Sequence, residues 1–404
     1  MHASCARSPG FVFRVLVVVV LLSVVSLGPV FAEDDLEKEL SAAIAKDEGP
    51  GSSVDNLMTD VSGLGISLIA DAGWAFFSTE DRVRLGGHAF RENGPMLQSV
   101  EFAAYANVDP YFRFDLAHSF THGHIEEAVI STTSLPVVKF RMGQYKTDLG
   151  RYNPTHMHTW QFVDQPLAIE WLFGGEGMAL PGTEVSLLFP LPWYVELVGS
   201  SQAGQVVSMD ASEITQGDDL IYSSRLKQFV NLHSSLGMFF SGNFVTGPSA
   251  LSPEHNRTFM YGADLYLKYR PLGYGATGHF YLAWTLEGWW RQMEVPDDLW
   301  EDATGYAEMD IGITKRWSAA LRYDIWSRIA GDDPGTENDR ANYGITSHRT
   351  NASVSFAPSH FSRLRLQYSL HQITDDSVEA DYKNNHMVAF QLEVAVGSHG
   401  AHQY

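Results

Sequence analysis

The sequence predicts an all-β fold, a single-chain transmembrane antiparallel β-barrel of about 16 strands. Three observations predict it. From Gly63 almost to the C-terminus, apolar and polar residues alternate with period two. The connections between these two-faced strands alternate between short and long. The chain also opens with an export signal, after which no stretch approaches the ~20 apolar residues of a spanning helix.

In chain order, residues 1–32 read as a signal peptide. Arg7 and Arg14 precede the apolar run VLVVVVLLSVVSLGPV, and Val30 to Ala32 offers small residues for cleavage after Ala32. Removing this segment takes the only cysteine, Cys5, and shifts the formal charge from −21 to −23. The exported chain is then expected to carry no disulfide, thiolate metal site or N-terminal lipid anchor. Its acidity argues against a nucleic-acid partner. Residues 33–62 differ from the remainder of the exported chain: Leu36, Leu40 and Ile44 recur at helical spacing before Gly49, Pro50 and Gly51 break the pattern. This predicts a short periplasmic helix and a linker.

Residues 63–404 are the expected barrel. In YFRFDLAH, Phe112, Phe114 and Leu116 alternate with Arg113 and Asp115; in SRLRLQYSLH, Leu364, Leu366, Tyr368 and Leu370 alternate with Arg365, Gln367, Ser369 and His371. GADLYLKY and AEMDIGIT split the same way. A long series of such strands with little helix between them is antiparallel β structure. Short turns are expected at 108–111, 133–136, 190–193, 233–237, 270–278, 315–318 and 357–362. Long loops are expected near 79–95, 149–178, 204–223, 246–256, 293–304, 329–347 and 373–385, with a shorter outer one at 120–127. Short periplasmic turns and longer outer loops are the pattern of outer-membrane barrels. Trp193, Tyr194, Trp289, Trp290, Trp317 and Phe361 fall at predicted strand ends, where interfacial girdles of aromatic residues belong.

A barrel of this size keeps an aqueous lumen. Strand parity points Glu101, Arg113, Asp115, Lys139, Arg141, Asp264 and Lys268 inward, together with Glu287, Glu308, Asp310, Arg322, Asp324, Arg365 and Glu393. Both signs of charge are present. The stretch from Phe140 to Met178 holds the longest loop, and a loop of this length without a strand pattern is uncommon unless it has a job. The expected job is to fold into the lumen and narrow it. Tyr152, Trp160, Phe162, Trp171 and Phe173 would pack it on the wall, and His156, His158, Asp164 and Glu176 would supply its polar groups.

His156 and His158, two apart, share a face if the chain is locally extended, and His122 and His124 repeat the spacing in a neighbouring loop. With no cysteine, histidines plus Asp164 or Glu176 are the ligands left for zinc. The competing reading is that these histidines hydrogen-bond the lumen lining or face solvent. His399 and His402 fall on the periplasmic side and cannot complete that site.

GQYKTDLGRYN resembles a segment of the phosphate-selective porins. NPTHMHTWQFVDQPL with FGGEGM, and the C-terminal VGSHGAHQY, resemble the outer-membrane proteins labelled zinc-regulated TonB-dependent receptors. The resemblance implies an outer-membrane uptake channel in a Gram-negative bacterium, linked to zinc. It also implies that the terminal aromatic, Tyr404, is a signal for the barrel-assembly machinery, and porin analogy implies a homotrimer in outer-membrane lipid. Energy-coupled receptors are ~22-stranded barrels with a plug, and the segment between Glu33 and Gly65 is too short for one. A passive channel is therefore the first expectation, with an energy-coupled metal receptor or a structural barrel as alternatives. GTEVS and GPSAL lack the strand-turn-helix setting of a nucleophile elbow, so no enzyme is expected.

Overall fold

A computed structural model describes residues 64–79, 88–204, 220–249, 256–271, 280–296, 298–331, 346–374 and 384–397. The expectations for the signal peptide, the helix and linker of 33–62, His399, His402 and Tyr404 lie outside the described residues.

Sixteen strands are present among the described residues: β1 (Leu64–Phe77), β2 (Gly94–Asn107), β3 (Phe112–Ser119), β4 (His124–Thr132), β5 (Val138–Lys146), β6 (Ala179–Leu188), β7 (Tyr194–Ala203) and β8 (Leu220–His233), followed by β9 (Leu236–Pro248), β10 (Arg257–Tyr269), β11 (Tyr281–Val295), β12 (Asp298–Gly312), β13 (Trp317–Ala330), β14 (Thr346–Ser359), β15 (Ser362–Thr374) and β16 (Asn384–Gly397). Each pairs antiparallel with its neighbours in sequence, and β1 closes on β16 from Ser67↔Gly397 to Phe77↔Met387. Closure leaves no unpaired strand edge, the condition for β structure in hydrocarbon.

The alternation seen in the sequence becomes two walls. In β16, Val388, Phe390, Leu392, Val394 and Val396 are exposed on the outside, while Met387, Ala389 and Gln391 are buried inside. In β15, Leu366 and Tyr368 face out, and Arg365, Gln367 and Ser369 face in. A continuous belt of exposed large apolar side chains is far beyond what water tolerates on a monomer surface. The barrel is a transmembrane one, of the outer membrane. No helix among the described residues is long and apolar enough to cross a membrane.

Three expectations change. The loop expected at 293–304 is a tight connection, because β11 runs to Val295 and β12 starts at Asp298. Pro296 makes the turn, and the charged run around it hid two strand ends whose side chains pair, Gln292 Nε2 donating to Glu301 Oε1 at 2.8 Å. The outer loop expected at 120–127 shrinks to 120–123, since β4 begins at His124. Trp289 is not part of a girdle: it is buried inside, donates to Glu287 Oε1 at 2.7 Å and meets Phe173 edge to face.

Residues 147–178, between β5 and β6, fold into the barrel. They contain a 3-10 turn at Met157–Thr159 and one helix, α1 (Leu167–Phe173). Pro166 at the N-cap presets the entry. Gly174 ends the helix at φ 82°, a conformation that side chains with a Cβ resist. Leu149, Tyr152, Met157, Trp160, Ile169, Leu172, Phe173 and Met178 from this segment form one apolar core with Ile221, Val245, Met260, Trp289 and Tyr306 of the wall. The only described apolar core of this size is therefore inside the barrel, between loop and wall.

Candidate functional site

The inner wall grips the inserted segment through its backbone. From β13, Arg322 donates to the Asp164 carbonyl at 3.0 Å and to Asp164 Oδ1 at 2.9 Å. From β14, Arg349 donates to the Gln165 carbonyl at 2.5 Å. From β15, Arg365 reaches the carbonyls of Trp160 and Phe162 at 2.6 and 3.1 Å, and Arg363 those of His158 and Trp160 at 2.6 and 3.0 Å. Gln367 accepts from the Val163 amide at 2.8 Å. Guanidinium forks, each with five donors, suit a loop whose carbonyls have no helix or strand partners. Phe162 lies under Arg322 with the guanidinium 4.4 Å above its ring, and Trp171 stacks on Trp326 at 4.3 Å.

The opposite end of the segment is tied to β8 through β11. Asp148 accepts from Arg225 Nη1 at 2.5 Å and Lys227 Nζ at 2.6 Å. The Gly150 amide donates to Asn243 Oδ1 at 3.0 Å and the Arg151 amide to Glu287 Oε2 at 2.9 Å. Glu287 also accepts from Tyr306 at 2.8 Å. Asp264 lies beside this end, paired with Arg225 and accepting from Ser241.

The inward-facing residues therefore divide into groups. Arg322, Asp324 and Arg365 are sealed under the segment, with at most 2 % of their surface exposed. Arg141 is held by Glu184, and Glu393 by Arg363. Arg113 and Asp115 pair at 2.6 Å but stay partly exposed, as do Lys268, Glu308 and Asp310; Lys139, opposite the buried Ser186, is exposed.

A second concentration of polar groups lies at the long-loop end of β1 to β5, which is the outer end in barrels of this kind. Two β-bulges build it. Between β1 and β2 the register skips Gln98, so Gln98 and Ser99 both turn inward; between β3 and β4 it skips Glu126, so Glu126 and Glu127 both turn inward. A bulge of this kind re-aims a side chain that strict alternation would send into lipid. His156 fills the space between the carboxylates. Its Nδ1 lies 3.2 Å from Glu126 and 3.4 Å from Glu101, and its Nε2 lies 3.3 Å from Glu127. His158 stacks on it at 5.8 Å, with Nδ1 3.7 Å from Glu101. Lys146 Nζ is 3.8 Å from Glu126. Burial alone would lower the His156 pKa, but Glu101, Glu126 and Glu127 outweigh it and hold it well above the usual imidazole range.

His88 stands next to this group. Its Nε2 is 3.0 Å from Glu176 and 4.0 Å from Glu126, and its ring meets His122 edge to face at 4.5 Å. Here too burial alone would lower the pKa, and the Glu176 hydrogen bond and charge raise it.

The histidines thus converge with a ligand set that differs from the expected one. Asp164 is not beside His156, because the segment has by then crossed to β13, where Arg322 takes its carboxylate. Glu176 sits on His88 rather than on His156 or His158. His156 and His158 do share a face, though through an N-cap and a 3-10 turn rather than an extended run. Glu126, Glu127, Arg225, Arg349 and Arg363 were not singled out from the sequence. The doublet Glu126-Glu127 was the available signal, since two adjacent charges in a membrane strand require a bulge.

No family model matches the chain. A protein of Aquifex aeolicus (strain VF5), described as uncharacterized, is 26% identical over 355 residues, covering 79% of this chain and 73% of that protein. Among solved structures, the outer membrane channel DcaP of Acinetobacter baumannii superposes with a TM-score of 0.57 at 9% identity, over 82% of this chain and 97% of that one. The anion-selective porin from Comamonas acidovorans gives 0.54 at 10% identity, over 82% and 99%. OmpT, an outer membrane protein of Vibrio cholerae, gives 0.54 at 8%, over 82% and 97%. The fold is that of outer-membrane porins. These neighbours lend no support to the receptor label that the sequence resemblance carried.

Proposed function

We propose that this protein is a porin-like channel for the passive passage of small hydrophilic solutes or ions across the outer membrane, with residues 147–178 as its constriction. The observation that carries this reading is the way those residues lie inside the barrel, fixed to β13–β15 by four arginines and to β8–β11 by Asp148, Gly150 and Arg151. A permeating solute exchanges hydration water for wall side chains, so the inward polar residues, Arg113, Asp115, Lys139, Lys268, Glu308 and Asp310 foremost, are the proposed lining. The chemistry is transport, with no reaction assigned.

This reading implies outer-membrane lipid and the barrel-assembly machinery as partners, the latter addressed through Tyr404. It also favours a homotrimer, since OmpT of Vibrio cholerae has been solved in a trimer form. Zinc enters as a candidate cargo through the histidine and glutamate groups at the mouth. An energy-coupled receptor is the weaker reading, because sixteen strands fall short of the ~22 that enclose a plug.

Liposomes containing the purified protein test the proposal by swelling in isotonic solutions of neutral sugars of graded size. Swelling with small sugars and a sharp size cut-off is the expected result. Liposomes that exclude even the smallest sugar and pass no salt would refute it.

A further inference from the structure

We propose that His88, His122, His124, Glu126 and Glu176 form a binding site for a divalent transition-metal cation of the zinc class. Ligand atoms of His88, His122 and Glu176 all lie within 4.8 Å of one another, and so do those of His124, Glu126 and Glu176. Glu176 joins the two triads, so three imidazoles and two carboxylates surround one region. A tetrahedral zinc at ~2.0–2.1 Å from each ligand spaces them ~3.3 Å apart, which side-chain rotation reaches from here.

The histidines are prepared as ligands. The His88 Nδ1 lies 3.0 Å from the carbonyl of Gln98, which only accepts, so the neutral ring carries its proton on Nδ1 and presents Nε2 toward Glu176. Gln98 Nε2 donates in turn to the His88 carbonyl at 2.8 Å, fixing the residue at both ends. His122 has its Nδ1 3.2 Å from Ser119 Oγ. Outer-shell hydrogen bonds of this kind set the tautomer and orientation of metal-binding imidazoles. Both Gln98 and Glu126 are the extra residues of their bulges, so two separate departures from regular pairing serve this one location.

The donor set decides the class of ion. Imidazole selects zinc, copper or nickel over magnesium and calcium, which prefer all-oxygen shells. Lys146, 3.8 Å from Glu126, and His156, 3.2 Å from it, also meet the Glu126 carboxylate. A cleft of about 430 Å³ lined by Arg91, Glu92, Asn93 and His122 adjoins the site at His122. Because Glu126 also belongs to the group with Glu101 and His156, a cation here stands at the entrance of the constriction.

The test is calorimetric titration of zinc into the full chain refolded in detergent and stripped of metal. Wild type is expected to bind saturably, His88→Gln/His122→Gln to bind at least about tenfold more weakly, and His348→Gln, altered on the outer wall beside Tyr323, to match wild type. Calcium is expected to bind far more weakly than zinc. No saturable zinc binding, equal affinity in the double variant, or calcium binding as tight as zinc would each overturn the assignment. Should the double variant not refold, cobalt(II) added to wild type decides: an intense visible band of a four- or five-coordinate nitrogen and oxygen site is expected, and the weak spectrum of an octahedral ion refutes it. A protein that swells liposomes yet binds no zinc would defeat this inference and leave the channel proposal standing.

Discussion

Arg322 shows what single residues contribute to this molecule. Its side chain is fully buried between Asp164 of the inserted segment and Asp324 of its own strand, at 2.9 and 3.2 Å. Removing one partner of a buried ion network leaves the others uncompensated, at a cost of about 3–5 kcal/mol. Arg322→Met is therefore expected to lower the unfolding temperature markedly in a thermal melt followed by circular dichroism. Asp148 gives a pH prediction. Burial alone would raise its pKa, but Arg225 and Lys227 outweigh this and hold the carboxyl well below the usual range. A depressed carboxylate contributes stability that is fully present above its unfolded value of ~3.9 and lost as pH falls through the lower folded value. The anchor at Asp148 should then persist from neutral pH to about pH 4 and fail only in stronger acid, whereas Asp148→Asn should loosen the segment at every pH; limited proteolysis across a pH series reads both. At this scale the sequence was partly legible. Strict parity placed Asp264 and Glu287 inward because their strands pair without interruption, and Arg365 because the one shift on its strand lies beyond it, at the Ser359–Ser362 turn, but it could not place Glu126 and Glu127, whose strand carries a bulge.

At the scale of the element, the inserted segment 147–178 is a loop that behaves as core. Its aromatic content pointed to packing, and Trp160, Phe162 and Phe173 are buried. The helix within it was not legible, because α1 has seven residues and periodicity needs a window of 11–18 to show. The hairpin at Pro296 escaped for a related reason: Glu294, Asp298, Glu301 and Asp302 look like loop, although Asp302 is fully buried between Arg291 and Arg328. Leu172 lies in the apolar core between α1 and the wall. Leu172→Asp should expel α1 by burying an unpaired charge, a cost that exceeds the few kcal/mol holding a helix of this length. Faster cleavage between 147 and 178 by an added protease, with the barrel itself intact, would register the change.

At the scale of the whole molecule, closure and the two-faced wall were the most legible features, since both follow from period-two alternation and from hydrocarbon's demand for a sheet without edges. Phe390 is exposed on the outer face of β16, on the strand that closes the barrel against β1. Phe390→Lys is expected to destabilise the lipid-embedded barrel by up to about 2–4 kcal/mol, depending on depth, measured by reversible unfolding in lipid vesicles. The central claim, that the barrel is an open channel narrowed by an arginine-held segment, is tested most directly by single-channel recording in a planar bilayer. Wild type should give discrete conductance steps, and Arg363→Ala/Arg365→Ala, which releases the carbonyls of His158, Trp160 and Phe162, should give larger steps with weaker ion selectivity. A bilayer that stays silent with wild-type protein, or steps of identical size in the double variant, would contradict the account.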